Sequence, residues 1–262
     1  MSKVVSIVMP TYNCGKFIEE SVQTVLAQTY PHWELLIVDD ASTDNTKEVL
    51  QPYLEDKRIR YECLEQNSGA AVARSRALEL ATGDFVAFLD SDDLWHPEKL
   101  EKQLAFMRQM NEAGKPCYFT ATAYTQIDDD GNSLHKALCP PKRVGYWKML
   151  FLSDPVGNST VLYDRTHFGD LRVPPIKKRN DFALWLMALR GGEICYGIDE
   201  RLMKYRVRSN SLSSNKLKLA KYHWQLYREI ERLPIFVSAF AVCCWAFVKV
   251  TGLGVKRSKI ED

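Results

Sequence analysis

Phe85-Val86-Ala87-Phe88-Leu89-Asp90-Ser91-Asp92-Asp93 is an apolar run that ends abruptly in three carboxylates. Buried as a strand, it would deliver the acids together at its carboxyl end, where like charges repel and desolvation is costly. Folding alone explains this poorly, so a cation is expected beside them. The aspartate-any-aspartate spacing of Asp90 and Asp92 suits a hard divalent ion, Mn²⁺ or Mg²⁺, which takes oxygen ligands and shares them with substrate phosphates.

Working outward, residues 4–9, 34–38, 59–63 and 85–89 read as strands, while 17–28, 43–53, 70–80 and 97–110 carry helical periodicity. Alternating strand and helix predicts an α/β fold, a mostly parallel sheet flanked by helices. Ligands in such sheets sit beyond the carboxyl ends of the strands. Pro10-Thr11-Tyr12-Asn13 follows the first run, Asp39-Asp40 the second and the Asp90 cluster the fourth, so the three are expected to converge on one crevice.

Each constellation also has a plainer reading. Pro10 to Asn13 is either a strand-to-helix turn or a place where Tyr12 offers its ring to a planar base. In Asp39-Asp40-Ala41-Ser42-Thr43-Asp44, Ser42 or Thr43 is expected to cap the next helix, while the two extra acids suit a uracil imide or a ribose hydroxyl. Asn67-Ser68-Gly69, ahead of a helix carrying Arg74 and Arg76, is either a solvated loop or a pyrophosphate cradle built from the helix amino end and Arg74.

The whole chain sets bounds. Its 262 residues, 46% apolar and 26% charged, can bury one full core or a core plus an appendage. A net charge of +2 argues against nucleic acid as a partner. Seven cysteines without a CxxC pair form no zinc or disulfide framework, and the amino end lacks the pattern of a cleaved signal peptide, so a cytoplasmic setting is expected. No GxGxxG follows the first strand, which disfavours a NAD enzyme. His96 and the other histidines show no ligand spacing, and Asp128-Asp129-Asp130-Gly131-Asn132 reads as a hairpin turn.

Together these segments resemble the family 2 glycosyltransferases of the GT-A fold. Ser6 to Asn13, Val38 to Asp44, Asn67-Ser68-Gly69 with Ala73-Arg74, Gly83-Asp84, and Phe88 to Trp95 stand in the family's order and spacing over about the first 110 residues. The resemblance implies a UDP-sugar donor. Pro10, Tyr12 and Asp40 would hold the uridine end with Asp39 beside them, Asp90 would lie near ribose or sugar, and Asp92 with Asp90 would bind the metal. Thr11, Asn13, Asn67, Arg74, Ser91 and Arg206 would complete the nucleotide-sugar contacts.

Inverting transfer needs one carboxylate on the acceptor side to take the hydroxyl proton. In Lys177-Lys178-Arg179-Asn180-Asp181-Phe182 an acid opens an amphipathic helix. Asn180 and Asp181 either cap that helix or, by resemblance to the family's Glu-Asp motif, Asp181 is the catalytic base, with Asn180 standing where Glu is usual. Tyr205-Arg206-Val207-Arg208-Ser209-Asn210-Ser211 is either a solvated basic loop or a clamp through Arg206 or Arg208 on diphosphate charge.

Residues 235–248 carry no charge and are bracketed by Lys216, Lys218, Lys221, Arg228 and Arg232 before and Lys249, Lys256, Arg257 and Lys259 after. The stretch is shorter than the roughly 20 residues of a spanning helix. An interfacial seat, with Phe236, Phe240, Trp245 and Phe247 in the headgroup boundary, competes with a helix packed on the domain and with a span. The expected layout is a GT-A domain over residues 1–215 (nucleotide-sugar half 1–112, acceptor half 113–215) and a helical tail over 216–262. The expected function is inverting transfer of a hexose or N-acetylhexosamine from a UDP-sugar to a lipid-linked oligosaccharide in surface polysaccharide assembly, O-antigen or capsule, peripheral on the inner membrane face. The rivals are a catalytically inactive scaffold of the same fold and a sugar nucleotidyltransferase, whose glycine-rich basic loop is missing from 10–16.

Overall fold

In the first strand, β1 (Val5–Thr11), the side-chain period of two sends Val5, Ile7 and Met9 to one face of the sheet and Val8 to the other, and both faces are covered. The computed structural model describes residues 3–152, 155–208, 216–251 and 256–259; Ser209, Asn210, Ser211 and the expected boundary at 215 lie outside the described residues. The chain continues through α1 (Ile18–Leu26), β2 (Trp33–Asp39), α2 (Thr46–Leu50), β3 (Ile59–Cys63), α3 (Ala70–Leu80), β4 (Phe85–Phe88), β5 (Leu94–Trp95) and α4 (Lys99–Glu112). Strand β1 pairs in parallel with β2 and β4, and β2 with β3.

Side-chain spacing explains the layers. Ile18, Val22 and Val25 recur at helical spacing on the buried face of α1, and α3 buries Ala71, Ala73 and Ala77, small enough to lie close to the strands. The helix expected over 43–53 is shorter: α2 gives way to a 3₁₀ turn at Gln51–Glu55, with Pro52 near its start.

Then follow β6 (Phe119–Ile127), β7 (Ser133–Cys139), β8 (Arg143–Val144), α5 (Tyr146–Leu152), β9 (Val161–Asp164), α6 (Arg165–Phe168), α7 (Asn180–Leu189), β10 (Cys195–Arg206), α8 (Lys216–Gln225), α9 (Ile235–Thr251) and β11 (Lys256–Lys259). Among the described residues the sheet order is β11-β7-β6-β9-β4-β1-β2-β3, with β10 running parallel to β6 and joined by β5 and β8. The pairing turns antiparallel where β9 meets β4 and β6. The β6–β7 connection is a turn, as the Asp-Gly signature predicts, with Gly131 at φ 85°.

Two expectations change. Helix α7 is not amphipathic: apart from Asp181 and Met187 it is buried, and Trp185 meets Phe88 edge-on at 5.1 Å. The carboxy-terminal segment is helical, as expected, and it packs on the domain. Leu226, Tyr227 and Ala241 sit in the main core, β11 pairs with β7, and Trp245, expected in lipid, is 7% exposed against His223. Among the described residues no helix is long and apolar enough to cross a membrane.

Candidate active site

Because β1 lies between β2 and β4 and runs parallel to both, the three strands end side by side. The loops beyond them are stitched together. Asp40 N–H donates to the Thr11 carbonyl (2.9 Å), Asn13 N–H donates to Ser42 Oγ (2.8 Å), and Asn13 Oδ1 accepts from Thr43 N–H (2.8 Å). Ser42 and Thr43 therefore tie one loop to the next instead of capping α2, whose cap residue is Asn45. Asn13 (φ 47°) and Ala41 (φ 60°) both take the left-handed conformation to make these turns.

The two acids of this loop are internal. Asp39, 1% exposed, accepts from Ser42 N–H and from the Tyr61 hydroxyl, each at 2.8 Å; burial, and then this carboxylate, push the Tyr61 pKa up. Asp40, 3% exposed, gives one oxygen to Ser68 N–H (2.6 Å) and the other to Gly69 N–H (2.7 Å), while Asn67 Nδ2 donates to its carbonyl (3.3 Å). Gly69 at φ 93° makes that turn possible. Asp40 thus engages the two amides just ahead of α3, at Ser68 and the cap residue Gly69. Tyr12 remains exposed at 47%, with its ring accessible.

The three clustered acids meet three fates. Asp90 Oδ1 accepts from Arg74 Nη2 (3.0 Å) and from Asn158 Nδ2 (2.9 Å). Among the described residues the Asp92 carboxylate meets no other side chain more closely than Arg208, a long ion pair of 3.6 Å, and burial followed by the charge of Asp90 pushes its pKa up to about 6. Asp93 is buried and accepts from Ser159 Oγ (2.6 Å) and Arg206 N–H (3.0 Å); desolvation, then its two acidic neighbours, raise its pKa. Beside them Cys14 donates to the Ser91 carbonyl (3.3 Å), and burial pushes its thiol up to about 12, which removes it as a nucleophile.

These residues fit a hard divalent cation. Asp92 is held only loosely, Asp90 Oδ2 has no partner among the described residues, and one or two carboxylates completed by phosphate oxygens and water is an ordinary magnesium or manganese arrangement. Among the described residues no third His, Cys, Asp or Glu joins them.

The acceptor side reaches this crevice through Arg74. Its guanidinium, 6% exposed, donates to Asp90 from one nitrogen and to Asn180 Oδ1 from the other. Asp181 follows at the start of α7, accepting from Phe182 N–H at 2.8 Å. The cap residue is Arg179, in the left-handed region at φ 65°, so neither Asn180 nor Asp181 occupies the capping position.

Arg206 departs from expectation. At 2% exposure it donates to the Asp92 carbonyl (2.9 Å), the Asp128 carbonyl (3.2 Å) and Glu20 (2.7 Å), and its guanidinium lies over the Phe17 ring. It braces the loops and is not free to clamp an anion; the partly exposed cation beside Asp92 is Arg208. Asn158, Ser159 and Asp93 have places here that the sequence did not reveal. For Asn158 and Ser159 only their position at a 3₁₀ turn leading into β9 carries the signal, and for Asp93, visible as an acid, only the fold shows that it points inward. Among the described residues Thr11 Oγ1, Arg74 Nε and Asn158 Oδ1 are buried without a hydrogen-bond partner.

Comparison with known proteins gives a consistent picture. The sequence model for glycosyl transferase family 2 matches residues 6–151. The chain is 46% identical over 255 residues to a Bacillus subtilis protein named as the teichuronic acid biosynthesis glycosyltransferase TuaG, covering 97% of each. It is 38% identical over 234 residues, 88% of each, to the Escherichia coli UDP-Glc:alpha-D-GlcNAc-diphosphoundecaprenol beta-1,3-glucosyltransferase WfgD. In structure it resembles S. aureus TarS 1–349 in complex with UDP-GlcNAc (TM-score 0.68, 22% identity, 96% of this chain and 75% of that one). It also resembles the Pyrobaculum calidifontis mannosyltransferase PcManGT in complex with GDP-Man and Mn²⁺ (TM-score 0.64, 18% identity, 95% and 76%), so the GT-A fold is shared.

Proposed function

Because the chain belongs to glycosyl transferase family 2, we propose that it is an inverting, divalent-metal-dependent enzyme moving a hexose or N-acetylhexosamine from a UDP-sugar to a lipid-linked saccharide. One observation supports this reading: buried Arg74 donates to both Asp90 and Asn180, the residue before Asp181, so the acidic loop beyond β4 and the start of α7 meet at one guanidinium. A base on one side and a charge-neutralising centre on the other is what displacement at an anomeric carbon requires.

The roles follow from burial. Tyr12 stacks on the uracil, within a pocket of Pro10, Thr11 and Asn13 whose shape Asp39 and Asp40 hold by binding the loops. Asn67 and Ser91 line the path toward the diphosphate, and Arg74 and Asp90 orient the donor sugar. Asp92, with Asp90, holds the divalent ion, which when bound neutralises charge on the departing diphosphate. Of Arg206 and Arg208, the two arginines expected to face the diphosphate, Arg208 takes that role. Asp181 receives the acceptor proton as the hydroxyl oxygen attacks.

The lipid-linked acceptor is supported by the diphosphoundecaprenol substrate in the name of WfgD and by the teichuronic acid biosynthesis in that of TuaG. Such an acceptor would keep the reaction at a bilayer, with the enzyme peripheral through its carboxy-terminal segment and in a role in surface polysaccharide assembly.

Incubation with a panel of UDP-sugars, Mn²⁺ and a polyprenyl-diphosphate saccharide, with UDP release and product mass as readouts, tests the proposal. Asp181→Asn is expected to lower transfer by about 10²–10⁴-fold while keeping UDP affinity, and Asp92→Ala to weaken UDP binding only when metal is present. Wild-type turnover by Asp181→Asn would remove it as the base. A scaffold would release no UDP, and a nucleotidyltransferase would form pyrophosphate from a nucleoside triphosphate.

A further inference from the structure

Helix α9 exposes Phe236 (73%), Phe240 (60%), Phe247 (59%) and Val250 (87%), together with Cys243. These positions recur at helical spacing along one face, opposite buried Ala241 and Trp245. The stripe does not end with its own helix. Trp147 of α5, 60% exposed, stacks on Phe151 (centroids 6.0 Å, interplanar 15°), and Phe151 meets Phe240 edge-on at 5.5 Å. Between the two helices Leu152, Cys244 and Val248 floor a shallow apolar groove. Folding gains nothing from leaving so many large apolar side chains in water, and a continuous patch of this kind marks a contact surface.

Charge says what it contacts. Helix α9 contains no Asp or Glu, and exposed cations flank the two helices along the chain, Arg143 and Lys148 around Trp147 and Arg228 and Arg232 just before α9. Of the acids near them, Glu231 is buried and paired with Arg190, Glu193 meets His167, and Glu229 is exposed. Two copies paired through this face would bring cationic margins together, whereas a surface bearing phosphates would attract them. No described helix can cross a membrane, so the rings can enter a bilayer only from its surface. We propose that the joint α5–α9 face docks in plane on a bilayer of anionic phospholipid, its rings at the headgroup boundary and its cations on lipid phosphates.

The placement suits the chemistry, and this part rests on the lipid-linked acceptor proposed above. Trp245, on the inner side of α9, packs at 4.8 Å on His223, which accepts from Arg179 Nε at 3.1 Å, and Arg179 directly precedes Asn180 and Asp181. Helix α5 leads along the chain to Asn158 and Ser159, which bind Asp90 and Asp93. A carrier lipid seated in the same bilayer would thus present its diphosphate end within a few side chains of the base.

The test uses the full chain with vesicles of phosphatidylglycerol and phosphatidylethanolamine, and with vesicles of phosphatidylcholine alone. Salt-sensitive co-sedimentation with the anionic vesicles only is expected. Brominated phosphatidylglycerol should quench tryptophan fluorescence, and Trp147→Phe should remove most of that quenching. Phe240→Ser with Phe247→Ser should lower the partition coefficient by about tenfold or more with an unchanged melting curve and unchanged UDP uptake. Absence of wild-type sedimentation, equal partition by the double variant, or a dimer in analytical ultracentrifugation that the double variant dissolves would each overturn the proposal. UDP uptake on the same samples keeps the two readings apart: its failure sinks the donor chemistry, and failure of sedimentation sinks only the docking face.

Discussion

The amino-terminal half brings Asp39, Asp40 and Asp90 to the crevice at strand ends, where Asp39 and Asp40 find their partners within that half, at Ser42, Tyr61, Ser68 and Gly69. The rest of the molecule reaches the same crevice with Asn158, Ser159, Asn180 and Arg206, each bonded to a partner at least 66 residues away. The first construction is a set of local motifs and the second a set of locks that close on them. The difference teaches that the acids and their settings come from different parts of the chain. Asp90 becomes an oriented carboxylate only when Arg74 and Asn158 are both in place.

Breaking the lock itself should have the largest effect. Arg74→Met removes the bridge between Asp90 and Asn180; transfer should fall by about 10²-fold from misplacement of the base, with stability lowered by about 2 kcal/mol. Arg74→Lys, which cannot fork between two acceptors, should restore stability better than kcat, as read by thermal unfolding and steady-state kinetics. If both variants transferred normally, the halves would not be coupled through this residue.

The adjacent acids sharpen the comparison. Asp93→Ala strands Ser159 and the Arg206 amide in the interior and should cost about 1–3 kcal/mol. Asp92→Ala removes a charge that burial disfavours and that has no short side-chain bond among the described residues, and it should leave the melting temperature near wild type while abolishing metal-dependent UDP uptake in calorimetry. Equal destabilisation by the two would mean that they are not divided between framework and ligand.

Lys99 offers a smaller test within the amino-terminal half. It is fully buried, held by Gln103 Oε1 (2.7 Å) and the face of Trp95 (4.0 Å), and desolvation holds its pKa well below the usual lysine value. The unfolded chain binds the proton more readily, so stability should rise with pH between the folded-state pKa and the ordinary lysine value near 10.5. Lys99→Met should flatten that rise in denaturant titrations at several pH values. Smallest of all, Ala41→Gly relieves a left-handed alanine at φ 60° and should stabilise by about 1 kcal/mol in the same assay. A loss of stability there would show that the loop requires the alanine side chain.

Much of the amino-terminal half was legible. Strand 59–63 and helix 70–80 fall where alternation and alanine spacing put them, because local preference and tertiary burial agree there. Helix α7 defeated the period argument since a segment buried on nearly all sides has no polar face to read. The crevice acids were visible as acids, yet their separate fates were not: Asp92 and Asp93 are neighbours in sequence, and only the fold leaves one loosely held in the crevice and turns the other inward. Arg74 and Arg206 carried the right charge toward unforeseen partners, because a guanidinium can reach many acceptors and the final packing chooses among them.

The pairing of β11 with β7 has a consequence for how the molecule is made. A ribosome releases β7 long before the segment that will cover it, and until then the nascent sheet offers unsatisfied amides and carbonyls to any passing strand. Synthesis would be the moment of greatest risk for this protein, and a chaperone that shields the growing chain would matter more to its yield than the stability of the finished fold.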